Sequence, residues 1–296
     1  MNSLKPSVIK SIDTFFARLK NKRKLVKRFK TRLGYKPNLK RPRTYCEKIQ
    51  WCKLHHNHHS QYVITRSDKL AVRKVIQLLG YNNILLDHYG NWDDVNQIDW
   101  DRLPDRFILK INNRSGDKYI WKIANKAEVD LKQLLPQLKE RLAETYGIEH
   151  HEYHYQKIPS RLYAEQYLDP HEPLKDYKFY CFADKVDFFS VEVKDPQSMQ
   201  SRSYHNPDFS IADVAFANDL KPPTIPFEQP INLQSMVTIA KTLSDSYPHV
   251  RVDLYNIHGK IYFGELTYVP ESGYTHWIPT SLDYHYGEKI NLKHLK

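Results

Sequence analysis

Two carboxylates near the C-terminus have the spacing of a metal grip. Arg251-Val252-Asp253-Leu254-Tyr255 is followed by a turn and then by Ile261-Tyr262-Phe263-Gly264-Glu265-Leu266-Thr267. Both runs alternate as strands do, so Arg251, Asp253 and Tyr255 share one face of the first strand, and Phe263, Glu265 and Thr267 share one face of the second. A three-residue loop, Ile257-His258-Gly259, with Gly259 left-handed, suits the connection. It pairs Asn256 with Lys260, sets Arg251 opposite Glu265, and leaves Asp253 diagonal to Glu265, roughly 7–8 Å away on the same face. Carboxylates so placed can hold Mg²⁺, with a nucleotide's phosphate oxygens completing the shell. A two-residue loop would put the two acids on opposite faces. The residues also suit a surface hairpin with an Arg251–Glu265 salt bridge, which contributes little. Periodicity alone does not separate these readings.

The elements that must carry such a site can be read upstream. Ser67 is a good N-cap for a helix running to Leu79 and stopped by Gly80, with Asp68 and Lys69 in its first turn. Phe107 to Ile111 reads as a strand with Lys110 and Asn112 on one face and Phe107 and Leu109 on the other. The turn-rich loop Asn112 to Asp117 returns it as a second strand at Tyr119-Ile120-Trp121. Val129 to Tyr146 reads as a helix with only Pro136 against it. Leu162–Leu168, Lys178–Ala183 and Val186–Val193 read as strands. A Pro-rich loop over 222–230 precedes a helix over Leu233–Ser246, and strands at Val250–Tyr255 and Lys260–Val269 close the chain.

The order Asp68-Lys69, Lys110 before its loop, Ala164-Glu165-Gln166-Tyr167-Leu168, then the hairpin resembles the ATP-grasp superfamily. It is most similar to the TupA-like branch linked with teichuronopeptide and other surface-polysaccharide synthesis. Glu47-Lys48-Ile49-Gln50-Trp51, Leu103 to Lys110, Asp176-Tyr177-Lys178-Phe179, Arg251 to Tyr255 and Gly264-Glu-Leu-Thr carry that resemblance over about residues 44–290. It implies an α+β ATP-grasp fold, two lobes with antiparallel sheets clasping ATP. Lys69 and Lys110 would reach the phosphates, with the Ser115-Gly116 loop folded over them. This loop is richer in glycine elsewhere in the superfamily; here Arg114 and Asp117 stand where small residues are expected. Glu165, Gln166 and Leu168 match the adenine segment, Asp176 the ribose partner, and Lys178 a residue near the phosphates. Asp253 and Glu265 match the Mg²⁺ ligands, and Arg251 the arginine that steadies the transferred phosphoryl group. Thr267 stands where the wider superfamily has a third, Asn, ligand; the TupA-like branch shares that Thr. The reaction implied is an ADP-forming ligation through an acyl-phosphate, joining an amino acid to a uronic acid of a bacterial surface polysaccharide.

Rival patterns are weaker. His55-His56-Asn57-His58-His59 and His150-His151 with His154 invite a metal, and His55 and His59 would share a helical face. No zinc-finger cysteine spacing or His-Glu-x-x-His accompanies them. Tyr153, Tyr155, Lys157 and Arg161 suit an acceptor groove or an ordinary core and rim. A glycosyltransferase or sugar kinase of the same pathway is the alternative enzyme. A membrane- or nucleic-acid-binding module is the non-enzymatic one.

Charge bears on that last reading. Of 45 Lys and Arg, 15 fall in residues 1–43 beside a single acid, Asp13, leaving 30 bases against 33 acids in the body. A near-neutral body argues against nucleic acid as the partner. Residues 7–33 carry apolar residues at helical spacing (Val8, Ile9, Ile12, Phe15, Phe16, Leu19, Leu25, Val26, Phe29) between lysines and arginines. Such a helix can lie on an anionic membrane or glycan surface, or pack its stripe on the body. Tyr35 to Arg43 then reads as a linker. The expected division is a basic helical extension over 1–43, an N-terminal lobe over 44–160 and a C-terminal lobe with the metal site over 161–296. No run approaches the ~20 apolar residues of a membrane span, and no secretory leader is evident. Cys46, Cys52 and Cys181 read as reduced thiols of a cytoplasmic protein, peripheral at the inner membrane face if residues 1–33 attach there.

Overall fold

The computed structural model describes residues 21–168, 174–193, 200–217 and 220–295. A helix over 21–33 (α1) leads into α2 (Tyr45–His55), α3 (Gln61–Ser67) and α4 (Ala71–Leu78). Strands β1 (His88–Trp92), β2 (Phe107–Ile111) and β3 (Ile120–Ile123) precede α5 (Leu131–Ala143). Then come β4 (Leu162–Gln166), β5 (Lys175–Phe182), β6 (Lys185–Val193), β7 (Ser201–His205) and β8 (Ala215–Phe216). The chain closes with α6 (Leu233–Ser244), β9 (Val250–Ile257), β10 (Lys260–Thr267), β11 (Trp277–Ile278) and α7 (Ser281–Lys289).

Two antiparallel sheets organise these elements. The smaller has the order β1-β4-β2-β3, the larger β10-β9-β5-β6-β7. Alternation decides what each face does. In the smaller sheet Phe107, Leu109, Ile111, Leu162 and Ala164 point one way and are sealed by Leu134 and Leu138 of α5. In the larger, Tyr177, Phe179, Val191, Val252 and Leu254 form an apolar face covered by Met236, Ile239, Ala240 and Leu243 of α6. Each such side chain contributes about 2 kcal/mol through removal from water. That burial pins the register, because a one-residue slip would turn every apolar side chain outward.

Several elements differ from the sequence expectation. The helix expected over 67–79 starts later: α3 ends at Ser67 and α4 begins only at Ala71. Ser60, not Ser67, is the capping serine, at the start of α3, accepting from Val63 N at 3.3 Å. Asp68 has ψ 113° and accepts from Leu70 N at 2.9 Å, while Lys69 N donates to Asn112 O at 3.2 Å. Asp68 and Lys69 therefore lie in a break tied to β2, not in a first helical turn. Helix α5 is shorter than 129–146 at both ends. Asp130 caps its start, and Arg114 takes the Leu142 and Glu144 carbonyls at its end.

Helix α1 has its stripe covered where it is described: Leu25 and Phe29 are fully buried. Phe29 packs edge-on against Tyr35 with ring centroids 5.0 Å apart. Residues 7–20 of the expected helix lie outside the described residues. Tyr45, Ile49, Val63, Val72, Ile76 and Ile84 join the core of the larger sheet, so residues 45–84 pack with the strands that follow residue 174 despite preceding β1.

Candidate active site

The hairpin of β9 and β10 reaches its geometry by a route the spacing did not suggest. Its turn has two residues, His258 (φ 49°) and Gly259 (φ 81°), between the paired Ile257 and Lys260. Both central residues are left-handed, the type I′ arrangement that matches strand twist. On its own this register would send Asp253 and Glu265 to opposite faces. A β-bulge at Gly264 inserts one residue, and beyond it Glu265 pairs with Asp253 and Thr267 with Arg251. The carboxylate-bearing residues are thus direct cross-strand partners rather than diagonal ones. Gly264 is needed there because a Cβ would lie 2.9 Å from Asp253 O and 3.3 Å from the Tyr255 ring.

Register across the sheet brings further groups to the same face. Lys178 pairs with Asp253, Asp176 with Tyr255, and Asp176 with Glu192 on the other side. Arg251 grips Asp253 in fork geometry, Nε to Oδ1 and Nη2 to Oδ2, both at 2.7 Å. Its Nη2 also lies 3.3 Å from Thr267 Oγ1 and 3.7 Å from Glu265 Oε1. Thr267 donates to Glu265 Oε1 at 3.0 Å. Lys69 crosses from the helical break to bond Glu265 Oε2 at 3.2 Å and Arg114 O at 2.9 Å. Lys178 pairs with Asp176 and, at 3.2 Å, with Glu192. The face opposite the α6-covered one is therefore a charge cluster of alternating sign.

The electrostatics follow from burial and these partners. Burial works to raise the Glu265 pKa, but Lys69 and Arg251 outweigh it and hold the carboxyl down at about 2. Asp253 is 4% exposed, and burial pushes its carboxyl above the usual range against the pull of Arg251 and Lys178. Burial likewise opposes charge on Lys178, yet Asp176 and Asp253 keep its pKa above the ordinary lysine value. The donors suit a hard divalent cation: two carboxylates and a hydroxyl, with Glu265 30% exposed. In addition, Asp176 Oδ1 is a buried acceptor with no hydrogen-bond partner among the described residues.

The remaining expected site residues fall into two groups. Lys110 pairs with Glu165 on the face of the smaller sheet opposite its core, and Tyr163 on that face feels Glu165, Arg73, Glu265 and Tyr255. This places the Lys110 face within electrostatic reach of the Asp253–Glu265 face. Gln166 N donates to Asp87 O at 2.9 Å at the end of β4, and Leu168 is the last described residue before 174. Ser115 and Gly116 lie in the loop between β2 and β3; Ser115 Oγ meets the Tyr146 hydroxyl at 2.6 Å and Gly116 has φ 98°. Among the described residues no hydrogen bond joins these two to the cluster's side chains; the neighbouring Arg114 O accepts from Lys69. Arg114 is not a misfit in that loop. It is 2% exposed, turned inward onto Leu142 O at 2.9 Å, and lies over the Tyr119 ring at 5.2 Å. A cation at a helix C-terminus meets both the dipole and its free carbonyls.

Glu192 was missed by sequence reading. It is 1% exposed and bonded by Lys178 and by Arg202 at 2.7 Å. Its signal was a lone acid inside the apolar run Phe188 to Val193. Glu271 was also missed; it approaches Arg251 Nη1 at 3.9 Å from a left-handed residue, φ 48°. The histidines do not assemble: α2 ends at His55, so His55 and His59 share no helical face. Among the described residues no group of three or more His, Cys, Asp or Glu could hold a metal.

A family model, TupA-like ATPgrasp, matches residues 47–291. The chain belongs to the TupA-like ATP-grasp family. By that membership its fold is the ATP-grasp fold. No curated protein matches the sequence. Among solved structures it is similar to the D-alanine–D-alanine ligase from Helicobacter pylori, at 15% identity over 83% of this chain and 68% of that one, TM-score 0.49. The D-alanine–D-alanine ligase from Bacillus anthracis matches at 15% identity over 76% and 65%, TM-score 0.45. An L-amino acid ligase from Bacillus licheniformis matches at 13% over 71% and 45%, TM-score 0.44. The chain thus spans about two-thirds or less of these proteins' own length. No helix among the described residues is long and apolar enough to cross a membrane.

Proposed function

We propose that this protein is an ADP-forming carboxylate–amine ligase that uses ATP with Mg²⁺ to activate a carboxylate as an acyl-phosphate and passes the acyl group to an amine. The substrates we favour are an amino acid and a uronic acid of a bacterial surface polysaccharide or its precursor. The observation that carries the mechanism is the direct pairing of Glu265 with Asp253, restored by the Gly264 bulge and ringed by Arg251, Lys69 and Lys178. In this reading the lobes 44–160 and 161–296 clasp ATP between the two sheets, with 45–84 built into the second lobe's core. Asp253, Glu265 and Thr267 would hold the cation, which neutralises phosphate charge and orients the γ-phosphoryl group when bound.

The chain's own groups do the rest. Arg251 is held rigid by Asp253 and presents its remaining N–H groups to charge that develops on the transferred phosphoryl oxygens. Lys69, Lys110 and Lys178 supply ammonium charge, and Ser115 and Gly116 supply backbone N–H groups to the phosphates. Glu165, Gln166, Leu168 and Asp176 would face the adenine and ribose. No protein nucleophile is required: Cys181 is fully buried and burial pushes its thiol far up, so no thiolate forms. The exposed Arg23, Lys24, Lys27, Lys30 and Arg32 of α1 support attraction to an anionic membrane surface at the inner face.

Incubation with ATP, Mg²⁺, amino acids and uronic-acid glycans tests the reading. ADP with a matching mass gain on the glycan is expected. AMP, or no nucleotide turnover with any pair, would reject it.

A further inference from the structure

A basic cavity is lined by Asp68 and Leu70, the two chain neighbours of Lys69. Its volume is about 480 Å³, and Arg73, Lys74, Gln77, His88, Asn91 and Arg161 line it. Asp68 and Asn112 also line it. Between them Lys69 donates its backbone N–H to Asn112 O at 3.2 Å and sends its ammonium to Glu265. The cavity therefore opens one residue away from the side chain that bonds the proposed metal ligand.

The lining defines what it would take. Three basic side chains line it, Arg73 and Lys74 from α4 and Arg161 from just before β4. The one lining carboxylate, Asp68, is engaged through Oδ1, which accepts from Leu70 N at 2.9 Å and Asn112 Nδ2 at 2.8 Å. Arg73 commits Nη2 to Leu86 O at 2.7 Å, and Arg161 commits Nε to Asp93 at 2.7 Å, so each guanidinium keeps other N–H groups. Lys74 is exposed, with no hydrogen bond or ion pair among the described residues. Gln77 and Asn91 add amides that both donate and accept. Guanidinium forks match planar carboxylates, and amides match ring hydroxyls. A volume of this size holds one or two sugar rings.

We propose that this cavity is the acceptor subsite, binding a carboxylated sugar chain through Arg73, Lys74 and Arg161 beside the site of activation. The proposal rests on the ligase reading for its biological meaning, but not for its test. Calorimetric titration of the full chain with tetragalacturonate, with maltotetraose as the neutral control, measures the subsite directly. The wild type should bind tetragalacturonate and not maltotetraose. Lys74→Gln and Arg161→Gln, both at exposed positions, should each weaken binding about tenfold, as loss of one charge-assisted contact does. A saturating non-hydrolysable ATP analogue should not displace the sugar.

No binding by the wild type, equal affinity in both variants, equal binding of maltotetraose, or displacement by the nucleotide would overturn the assignment. The two readings fail separately. ADP and glycan mass gain in the wild type, with uronate binding indifferent to both substitutions, sinks the subsite and leaves the ligase. Uronate binding that both substitutions weaken, with no ADP formed from it, does the reverse.

Discussion

Replacing Gly264 by alanine isolates the device that brings the two acids together. The added methyl carbon would sit 2.9 Å from the Asp253 carbonyl oxygen and 3.3 Å from a Tyr255 ring carbon. Ordinary van der Waals contact begins near 3.4 Å, so β10 must move about half an ångström from β9, against backbone rather than a flexible side chain. Overpacking of this kind costs about 1–3 kcal/mol. The displacement falls between Asp253 and Glu265, where misplacement approaching 1 Å costs up to about a hundredfold in rate. Gly259→Ala is the matched control. It strains a φ of 81°, at about 1–2 kcal/mol, but its nearest neighbour is Ile231 at 3.6 Å, in the turn away from the acids. Urea unfolding should show both variants destabilised with unchanged m-values. Steady-state ADP release should fall ten- to a hundredfold in Gly264→Ala and stay near wild type in Gly259→Ala. Equal turnover in the two, or a Gly264→Ala protein as stable and as active as wild type, would refute the role given to the bulge.

Other consequences follow from buried groups. Arg114→Met should lower stability by about 2–4 kcal/mol, because the Leu142 and Glu144 carbonyls lose their shared donor; urea midpoints and a raised KM for ATP would register the loosened loop. Phe29→Ala should cost about 3–5 kcal/mol although it lies in the basic extension, since the ring is fully buried; an unchanged melting temperature would show that α1 is dispensable. Acid should destabilise the protein from about pH 6.5 downward. Burial, chiefly, holds His249 at about 3 while it bonds Cys181 O at 2.8 Å. Between an unfolded value of about 6.5 and this folded value the unfolded chain takes up a proton that the folded chain refuses. Stability therefore falls as pH drops through that window, and His249→Gln should flatten the slope of urea midpoint against pH.

Much of the site was legible because strand alternation is local. Lys110, Arg251 and Asp253 each sit on a face set by neighbours two residues away, as read; Phe263, expected on the Glu265 face, instead pairs with Leu254 and turns to the core, because the bulge falls between it and Glu265. The hairpin shows where such reading stops. One residue beyond a tight turn is required to put both acids on one face. Spacing assigned it to the loop, whereas the fold places it at Gly264, where a glycine inside a strand was the available sign. Both solutions preserve parity, which is why the shared face survived a wrong register. The helix expected from Ser67 failed for a different reason: the bond from Lys69 N to Asn112 O joins residues far apart in sequence. Arg114 is the same case, since its partners at the end of α5 are 28 and 30 residues away. Long-range satisfaction of backbone groups leaves little trace in composition.

The central claim is that Asp253 and Glu265 together hold the cation that ATP transfer needs. Its most direct test is Mg²⁺-dependent ADP formation in Asp253→Asn and Glu265→Gln, each first shown to be folded by circular dichroism and urea titration. The account predicts that each substitution alone abolishes turnover, with the fold retained. Turnover in either variant close to that of the wild type, at the same Mg²⁺ concentration, would contradict it.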